Sequence, residues 1–410
     1  MTELASKTPQ VVESSATAGP LGLTGWRARL AANRGTEAGP LPVILGLVVV
    51  WIFFQTQNSN FLSSRNLSNL VLQMAVTAIL SIAVVLVLLA GEIDLSLGSV
   101  TGVTSALLGV LLTNDHWSAA AAIATTLVLG LGIGLLQGLV TVFVGVPSFI
   151  VTLGGFLAWA GLQLALIGPE GDLPVTNGTV TAIANDYLAP WVAWTLAGAV
   201  IAVIVALEVL RYASWRRVQV KPPSVIQTGF RVASVTIGLL AVVAYLNDNF
   251  GVPYLLVLLL GLAAVLGWVT RRTLFGRYIY AVGGNIEASR RAGVPVPTVR
   301  VAVLGLSGFL GGIAGIVSTS SLYATSAGVG GSVLLLEAIA AAVIGGVSMS
   351  GGRGRIYQGL LGALLIASIV NGLDLLGQAA STEDIATGVI LVLAVSIDSF
   401  NRRRRAASGA

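Results

Sequence analysis

Cysteine is absent from the 410 residues, histidine occurs once, and lysine only at Lys7 and Lys221. Without cysteine there is no disulfide, no thiolate metal site and no cysteine nucleophile. The one histidine, His116, sits beside Asp115 and Trp117 in a short turn. It leaves neither a Ser-His-Asp set nor a zinc constellation, so no catalytic or metal-binding residue is assigned. Neither lysine follows a glycine-rich loop of phosphate-binding spacing, so the chain has no P-loop of its own with which to hydrolyse ATP. Charge is scarce as well: 10% of residues are charged, against about 25% in soluble domains. With 55% hydrophobic residues and a mean hydropathy of +0.91, the chain reads as a polytopic membrane protein. The basic balance does not point to nucleic acid, because the arginines cluster at membrane boundaries.

What is present is apolar sequence, glycine and clustered arginine. Fifty glycines suit close helix–helix approach, where small residues replace the hydrophobic drive that lipid removes. Residues 1–39 are polar, with no apolar core. They are expected to be a disordered cytoplasmic arm rather than a signal peptide. Taking roughly 20 residues per span, the hydropathy pattern predicts Leu41–Thr56, Asn69–Ala90, Leu95–Leu112, Ala119–Phe143, Ser148–Ile167, Trp191–Leu210, Phe230–Leu246, Val252–Thr270, Val299–Leu322, Leu334–Ser350, Ile356–Leu376 and Asp384–Phe400. The third and tenth are the weakest, and several are short enough to be half-helices or re-entrant segments. The fold class is therefore all-α, a polytopic transmembrane helical bundle of about 10–12 spans with broken helices and a weak internal repeat.

The loops orient this bundle. Arg211, Arg216, Arg217 and Lys221 fall on the same side as Arg271, Arg272, Arg277, Arg290, Arg291, Arg300, Arg353, Arg355 and Arg402 to Arg405. The opposite loops carry acids and no lysine or arginine, with Arg65 the exception. Both termini are therefore expected in the cytoplasm, with residues 40–400 as the membrane domain and 401–410 as a basic tail.

Ala90-Gly91-Glu92-Ile93-Asp94-Leu95-Ser96-Leu97-Gly98-Ser99 interrupts the apolar pattern with two carboxylates and two hydroxyls. Charge at bilayer depth costs roughly 3 kcal/mol even on a lenient scale. Two readings fit Glu92, Asp94 and Ser96. Asp94 is the N-cap of a helix starting at Leu95, or the segment is a discontinuous helix lining a solvated path; the two are compatible. A similar run, Gly345-Gly346-Val347-Ser348-Met349-Ser350-Gly351-Gly352-Arg353-Gly354, lies between the tenth and eleventh spans. Both runs sit between an inward-running and an outward-running span, as a parallel repeat would place them, and Ser348, Ser350, Gly351 and Gly352 join the candidate gate.

Residues 271–298 form the longest charged cytoplasmic loop. Within it, Glu287-Ala288-Ser289-Arg290-Arg291-Ala292-Gly293 combines small residues, charges and a glycine that can end a short helix. That suits a helix lying against a cytoplasmic partner, and equally an ordinary positive-inside loop.

Glu287-Ala288-Ser289 with Gly293 resembles the EAA-x-x-x-G loop of ABC importer permeases, the element that fits a cleft on the ATPase subunit. Serine stands in place of the third alanine, and the downstream Ile-x-Leu-Pro is missing. That departure points to the ribose/xylose branch. Glu92 to Ser99, Val146 to Leu153, Phe275 to Asn285 and Glu337 to Gly346 also resemble bacterial monosaccharide permeases, in the same order from Asn58 to Phe400. Glu92 and the additional span pair Trp191 to Leu246 are most similar to the D-xylose type. The resemblance implies a homodimeric permease in the bacterial plasma membrane, in contact with lipid. It also implies a separate ATPase subunit carrying ATP and Mg, an extracytoplasmic sugar-binding protein, a monosaccharide substrate such as D-xylose or a similar pentose, and no cofactor in this chain. Glu287, Ala288, Ser289, Arg290, Arg291 and Gly293 would then couple to the ATPase.

Gln73, Gln137, Gln163, Glu337 and Asn371 lie inside spans. They are candidates to line a sugar path, or to form interhelical hydrogen bonds. Trp51 and Trp159 fall deep enough to stack on a sugar, whereas Trp191, Trp194, Trp215 and Trp268 suit the interfaces. Glu208 precedes the basic run from Arg211 and is expected to snorkel or pair there. The alternative function is an ion-coupled secondary transporter using Glu92, Asp94 and Glu337 as ion sites. An intramembrane enzyme lacks any cluster of histidine, cysteine or paired acids in register.

Overall fold

A computed structural model describes residues 41–169, 171–217, 224–383, 385–389, 392 and 396. The expected arm at 1–39 and tail at 401–410 lie outside these residues, as does most of the twelfth predicted span.

Among the described residues, eight helices are long and apolar enough to cross a membrane. They are α2 (Ser64–Leu89), α4 (Ala119–Leu139, extended by a π-helical turn at Val140–Val144), α5 (Ser148–Ile167), α7 (Pro190–Arg217), α8 (Val225–Asn247), α9 (Tyr254–Arg272), α12 (Val296–Leu322) and α14 (Ile356–Leu375). Shorter apolar helices are α1 (Leu41–Gln57), α3 (Leu97–Thr113) and α13 (Gly331–Ile344). The third and tenth predicted spans are thus helices of 17 and 14 residues, short of the roughly 20 that a full span takes. Each is cut because a glycine- and serine-bearing break takes the residues a full span would use.

α2 is the axle of the bundle: 83% of its most apolar stretch is buried, against 11% for α7 and for α8. Its N-cap Ser63 accepts from Asn66 N at 3.3 Å. Its 26 residues run about 39 Å, longer than the roughly 30 Å hydrocarbon layer. α4 and α12 pack antiparallel through Gly130, Gly134 and Gly138 against Leu304, Gly305, Gly308 and Gly312. A Cβ on Gly138 would sit 2.9 Å from Val301 Cα, so the backbones touch directly.

The segment 168–189, predicted as a plain external loop, is structured. It holds β1 (Asp172–Pro174), α6 (Gly178–Asn185) and β2 (Tyr187–Leu188). β1 pairs antiparallel with β4 (Ala324–Ser326), Leu173 opposite Thr325, and β2 pairs with β3 (Val252–Pro253). The β4 segment then leads inward. Ser105 Oγ meets Thr325 Oγ1 at 2.8 Å, and Gly330 packs on Gly98 and Gly102 of α3. α13 therefore begins beside the first turn of α3, inside the bundle. That turn is deep: Ser307, next to it, is eleven positions past Val296 on α12, about 16 Å along the axis.

Between α9 and α12 lie two short helices, α10 (Leu274–Gly284) and α11 (Ile286–Arg291).

Candidate coupling and gating site

α2 and α13 end in the same way. Gly91 N donates to Leu88 O at 2.9 Å and Glu92 N to Val87 O at 3.1 Å; Gly346 N donates to Val343 O at 2.9 Å and Val347 N to Ala342 O at 3.1 Å. Gly91 and Gly346 both take positive φ, 76° and 93°. These are two Schellman caps, each needing glycine at C′, and they fall at the register in which Ala90–Ser99 echoes Gly345–Gly354.

After the first cap the chain turns back into the bundle. Ile93 N and Leu95 N, left without helical partners, donate to Ser148 Oγ and Thr152 Oγ1 of α5. Glu92 is buried and makes a two-pronged pair with Arg300 of α12, Nη2 to Oε2 at 3.1 Å and Nε to Oε1. Asp94 is not the N-cap of α3. The helix starts two residues later than predicted, with Ser96 as N-cap. Asp94 Oδ1 instead accepts from Ser96 N (2.9 Å) and Ser96 Oγ (2.7 Å), and Oδ2 from Ser307 Oγ (2.7 Å). Every lone pair that matters is used, which is what makes a carboxylate tolerable there.

Ser96 Oγ also lies 3.0 Å from the amide of Gln137. Its single proton goes to Asp94, so Gln137 must be the donor in that contact. With the amide nitrogen toward Ser96, the amide oxygen turns toward Gly155, against which Trp159 Nε1 also lies. This orientation offers an acceptor to a buried indole that otherwise has none.

The second break, Gly345 to Arg355, closes on itself through Ser348 N to Arg353 O at 3.1 Å, and Ser350 N donates to Ser348 Oγ. Gly351, Gly352 and Gly354 all have positive φ. The two breaks touch. Gly352 N donates to Leu89 O, the last residue of α2, at 3.1 Å, and a Cβ on Gly351 would come within 2.9 Å of Gly91 Cα. Into this contact α10 inserts its penultimate residue, Gly283. A Cβ on Gly283 would overlap Leu89 O and stand 2.7 Å from Gly352 N. Tyr280 Oη donates to Gly354 O at 2.7 Å.

α11 follows at once. Asn285 caps it, accepting from Ala288 N at 2.9 Å. Glu287 pairs with Arg290 (3.5 Å) and Arg291 (3.3 Å) on an exposed face. Ser289 alone of this group is buried, and Gly293 ends the turn with φ 79°. Glu287, Ala288, Arg290, Arg291 and Gly293 are thus open to solvent, starting four residues beyond the backbone wedge at Gly283 held between both breaks. Between the breaks lies a cavity of about 300 Å³ bordered by Glu92, Ile93, Asp94, Phe149, Ile339 and Met349.

The other path candidates are dispersed. Gln73 and Asn371 come together: Asn371 Nδ2 donates to Gln73 Oε1 (3.0 Å), and Asn66 exchanges hydrogen bonds with Asn371 at 2.7 and 3.1 Å. This ties α2 to α14. Gln163 donates to Ser326 O (3.0 Å) and Val329 O (2.9 Å), bracing the strand-to-α13 turn. Glu337 accepts from Thr77 at 3.2 Å, and the Trp51 indole donates to Ser368. Replacing Asn371 by Leu is expected to cost roughly 1–2 kcal/mol through loss of the interhelical amide bonds. A lowered thermal midpoint of the detergent-solubilised protein checks it; an unchanged midpoint removes this network from the account of stability.

Arg300 and Ser307 were not foreseen as partners of the break, although their spacing of seven places both on one face of α12.

The family described as "Branched-chain amino acid transport system / permease component" matches residues 66–395. The chain is 34% identical over 372 residues to the xylose transport system permease protein XylH of Haemophilus influenzae, covering 88% of this chain and 96% of that one. It is 35% identical over 371 residues to XylH of Escherichia coli K12, covering 88% and 92%. It is 30% identical over 359 residues to the ribose import permease protein RbsC of the same strain, covering 87% and 92%. No solved structure matches.

Proposed function

Since the chain belongs to the bacterial ABC-importer permeases of the ribose/xylose type and is the membrane subunit of a sugar transporter, we propose that its sugar is D-xylose or a similar pentose. The curated relatives of 34–35% identity that are named for xylose support this choice over ribose, at 30%. We further propose a homodimer that works with a separate ATPase and an extracytoplasmic sugar-binding protein. Both termini and residues 271–298 face the cytoplasm, residues 1–39 form an arm and 401–410 a basic tail. Exposed Ile93, Phe149 and Met349, each more than 40% accessible, border the cavity between the breaks and suit an apolar gate that a second copy closes.

The observation that carries the mechanism is the insertion of Gly283 between the two breaks, with α11 directly attached. The ATPase pushes on Glu287, Ala288, Arg290, Arg291 and Gly293, with Ser289 packed beneath them to pass the load on. Backbone-to-backbone contact then leaves no slack, so the displacement reaches Gly91 and Gly351–Gly352 together. Glu92, Asp94, Ser96, Ser348 and Ser350 hold the shape of the moving parts. Gln73, Gln163, Glu337 and Asn371 serve mainly to brace helices, and Gln137 positions Ser96. The ion-coupled alternative has less support, since Glu92 is already paired by Arg300 and Asp94 by three donors.

Glu287→Ala with Arg290→Glu is expected to release the ATPase in a pull-down while membrane insertion persists. Tight ATPase retention with normal uptake would remove α11 from the coupling role. The class of transport is tested by labelled-pentose uptake into proteoliposomes containing this chain, the ATPase and the binding protein. Internal ATP is expected to drive it; uptake by this chain alone on a proton or Na⁺ gradient would overturn the reading.

A further inference from the structure

α7 and α8 have the least holding them in the fold. Ala193, Ala197, Val243 and Leu246 pack together with Val252 at one end of the pair. Toward the other end the two helices part, leaving a groove of about 530 Å³ walled by valines such as Val205, Val209 and Val232. Gly229 lines it without a side chain, and the space a Cβ would take there is open.

Midway along, the groove is basic. Arg211 Nη1 and Arg231 Nη1 lie 3.7 and 3.8 Å from the same oxygen, Oε1 of Glu208. Two guanidinium groups share one carboxylate, so the trio keeps a net charge of +1. The contacts are long, and the arginine side chains are 48% and 71% accessible. Most of their N–H donors remain available for a further acceptor. Glu208 is 18 positions from Pro190, about 27 Å along the helix, which sets the trio at the edge of a hydrocarbon layer roughly 30 Å thick. Val205 and Val232 thus lie on the bilayer side of the arginines, which stand at headgroup level.

We propose that this groove binds an anionic phospholipid, one acyl chain lying between α7 and α8 and the phosphate taken by Arg211 and Arg231. The excess cation selects an anionic headgroup over a zwitterionic one, whose ammonium it would repel. The apolar walls select a chain-bearing ligand over a free anion.

The test is native mass spectrometry of the intact protein, released from detergent in the presence of phosphatidylglycerol or phosphatidylcholine. Phosphatidylglycerol is expected to be retained at least about tenfold better. Arg211→Ala with Arg231→Ala should abolish that preference. Gly229→Trp, which fills the groove and keeps both arginines, should lower retention of phosphatidylglycerol by a similar factor. Val232→Phe serves the same purpose if the tryptophan variant fails to insert. Glycerol 3-phosphate, a headgroup without chains, should not compete. Equal retention of the two lipids, preference surviving either the arginine or the groove-filling change, or full competition by glycerol 3-phosphate would each overturn the site.

Discussion

Gly283→Ala is expected to cut ATP-driven sugar uptake at least tenfold, while its neighbour Gly284→Ala stays close to wild type. The difference lies in what one methyl group meets. At Gly283 it would occupy the position of the Leu89 carbonyl oxygen and crowd Gly352 N, both rigid backbone. At Gly284 it would meet nothing within 4 Å. Intrinsic helix propensity favours both changes by about 1 kcal/mol, so a loss confined to position 283 cannot come from the helix itself. The alanine at 283 pries α10 away from both breaks, and the Gly352 N to Leu89 O hydrogen bond is the first casualty. A tenfold loss corresponds to about 1.4 kcal/mol on the transport barrier, well within the roughly 1–3 kcal/mol typical of overpacking. The readout is labelled-sugar uptake in proteoliposomes alongside ATPase pull-down. Retained docking with lost uptake is the expected pair. Equal uptake by the two variants would mean that the wedge transmits nothing.

The Glu92–Arg300 pair carries the second large expectation, and its sign is asymmetric. Glu92 is 4% exposed and Arg300 23%. Arg300→Met therefore leaves a buried carboxylate without a partner, which costs about 3–5 kcal/mol. Glu92→Gln leaves a guanidinium with some access to water, and the amide can still donate and accept, so the expected cost is smaller. The double variant, Glu92→Gln with Arg300→Met, is expected to be more stable than Arg300→Met alone, because the orphaned charge is gone. Thermal or SDS unfolding of the purified chain measures all three. Additive losses in the double variant would show that the two side chains do not depend on each other.

Much of this site could be read from the chain. A ten-residue run with two carboxylates among apolar residues has few places to go in a bilayer, so the first break was legible. The second followed from the likeness of its run to the first, and the Schellman caps at Gly91 and Gly346 were seen only in the structure. α11 was legible from small residues, charges and a terminal glycine in one short loop. Other features rest on tertiary placement. Of the two readings of Asp94, the N-cap one fails, since the helix begins at Leu97 with Ser96 as its N-cap and Ser96 N donates to Asp94. Gly283 is one of 50 glycines, and only its neighbours in space distinguish it from Gly284. The start of α3 was placed two residues early and the end of α13 six residues late, because apolar residues continue through the breaks and hydropathy does not mark where the helix stops. Gln73 and Asn371 were correctly placed inside spans, but that they face each other depends on how α2 and α14 are rotated.

The central claim is that α11 and the two breaks move as one body. Because the chain has no native cysteine, spin labels can be placed without background at Ala292→Cys in the segment after α11, Met349→Cys in the second break and Thr113→Cys at the far end of α3. Pulsed electron spin resonance then gives the 292–349 and 113–349 distances in the complex with the ATPase, with and without bound nucleotide. The account predicts that the 292–349 distance holds constant while the 113–349 distance shifts on nucleotide binding. A shift between 292 and 349 with none between 113 and 349 would contradict it, because α11 would then be moving without taking the break along.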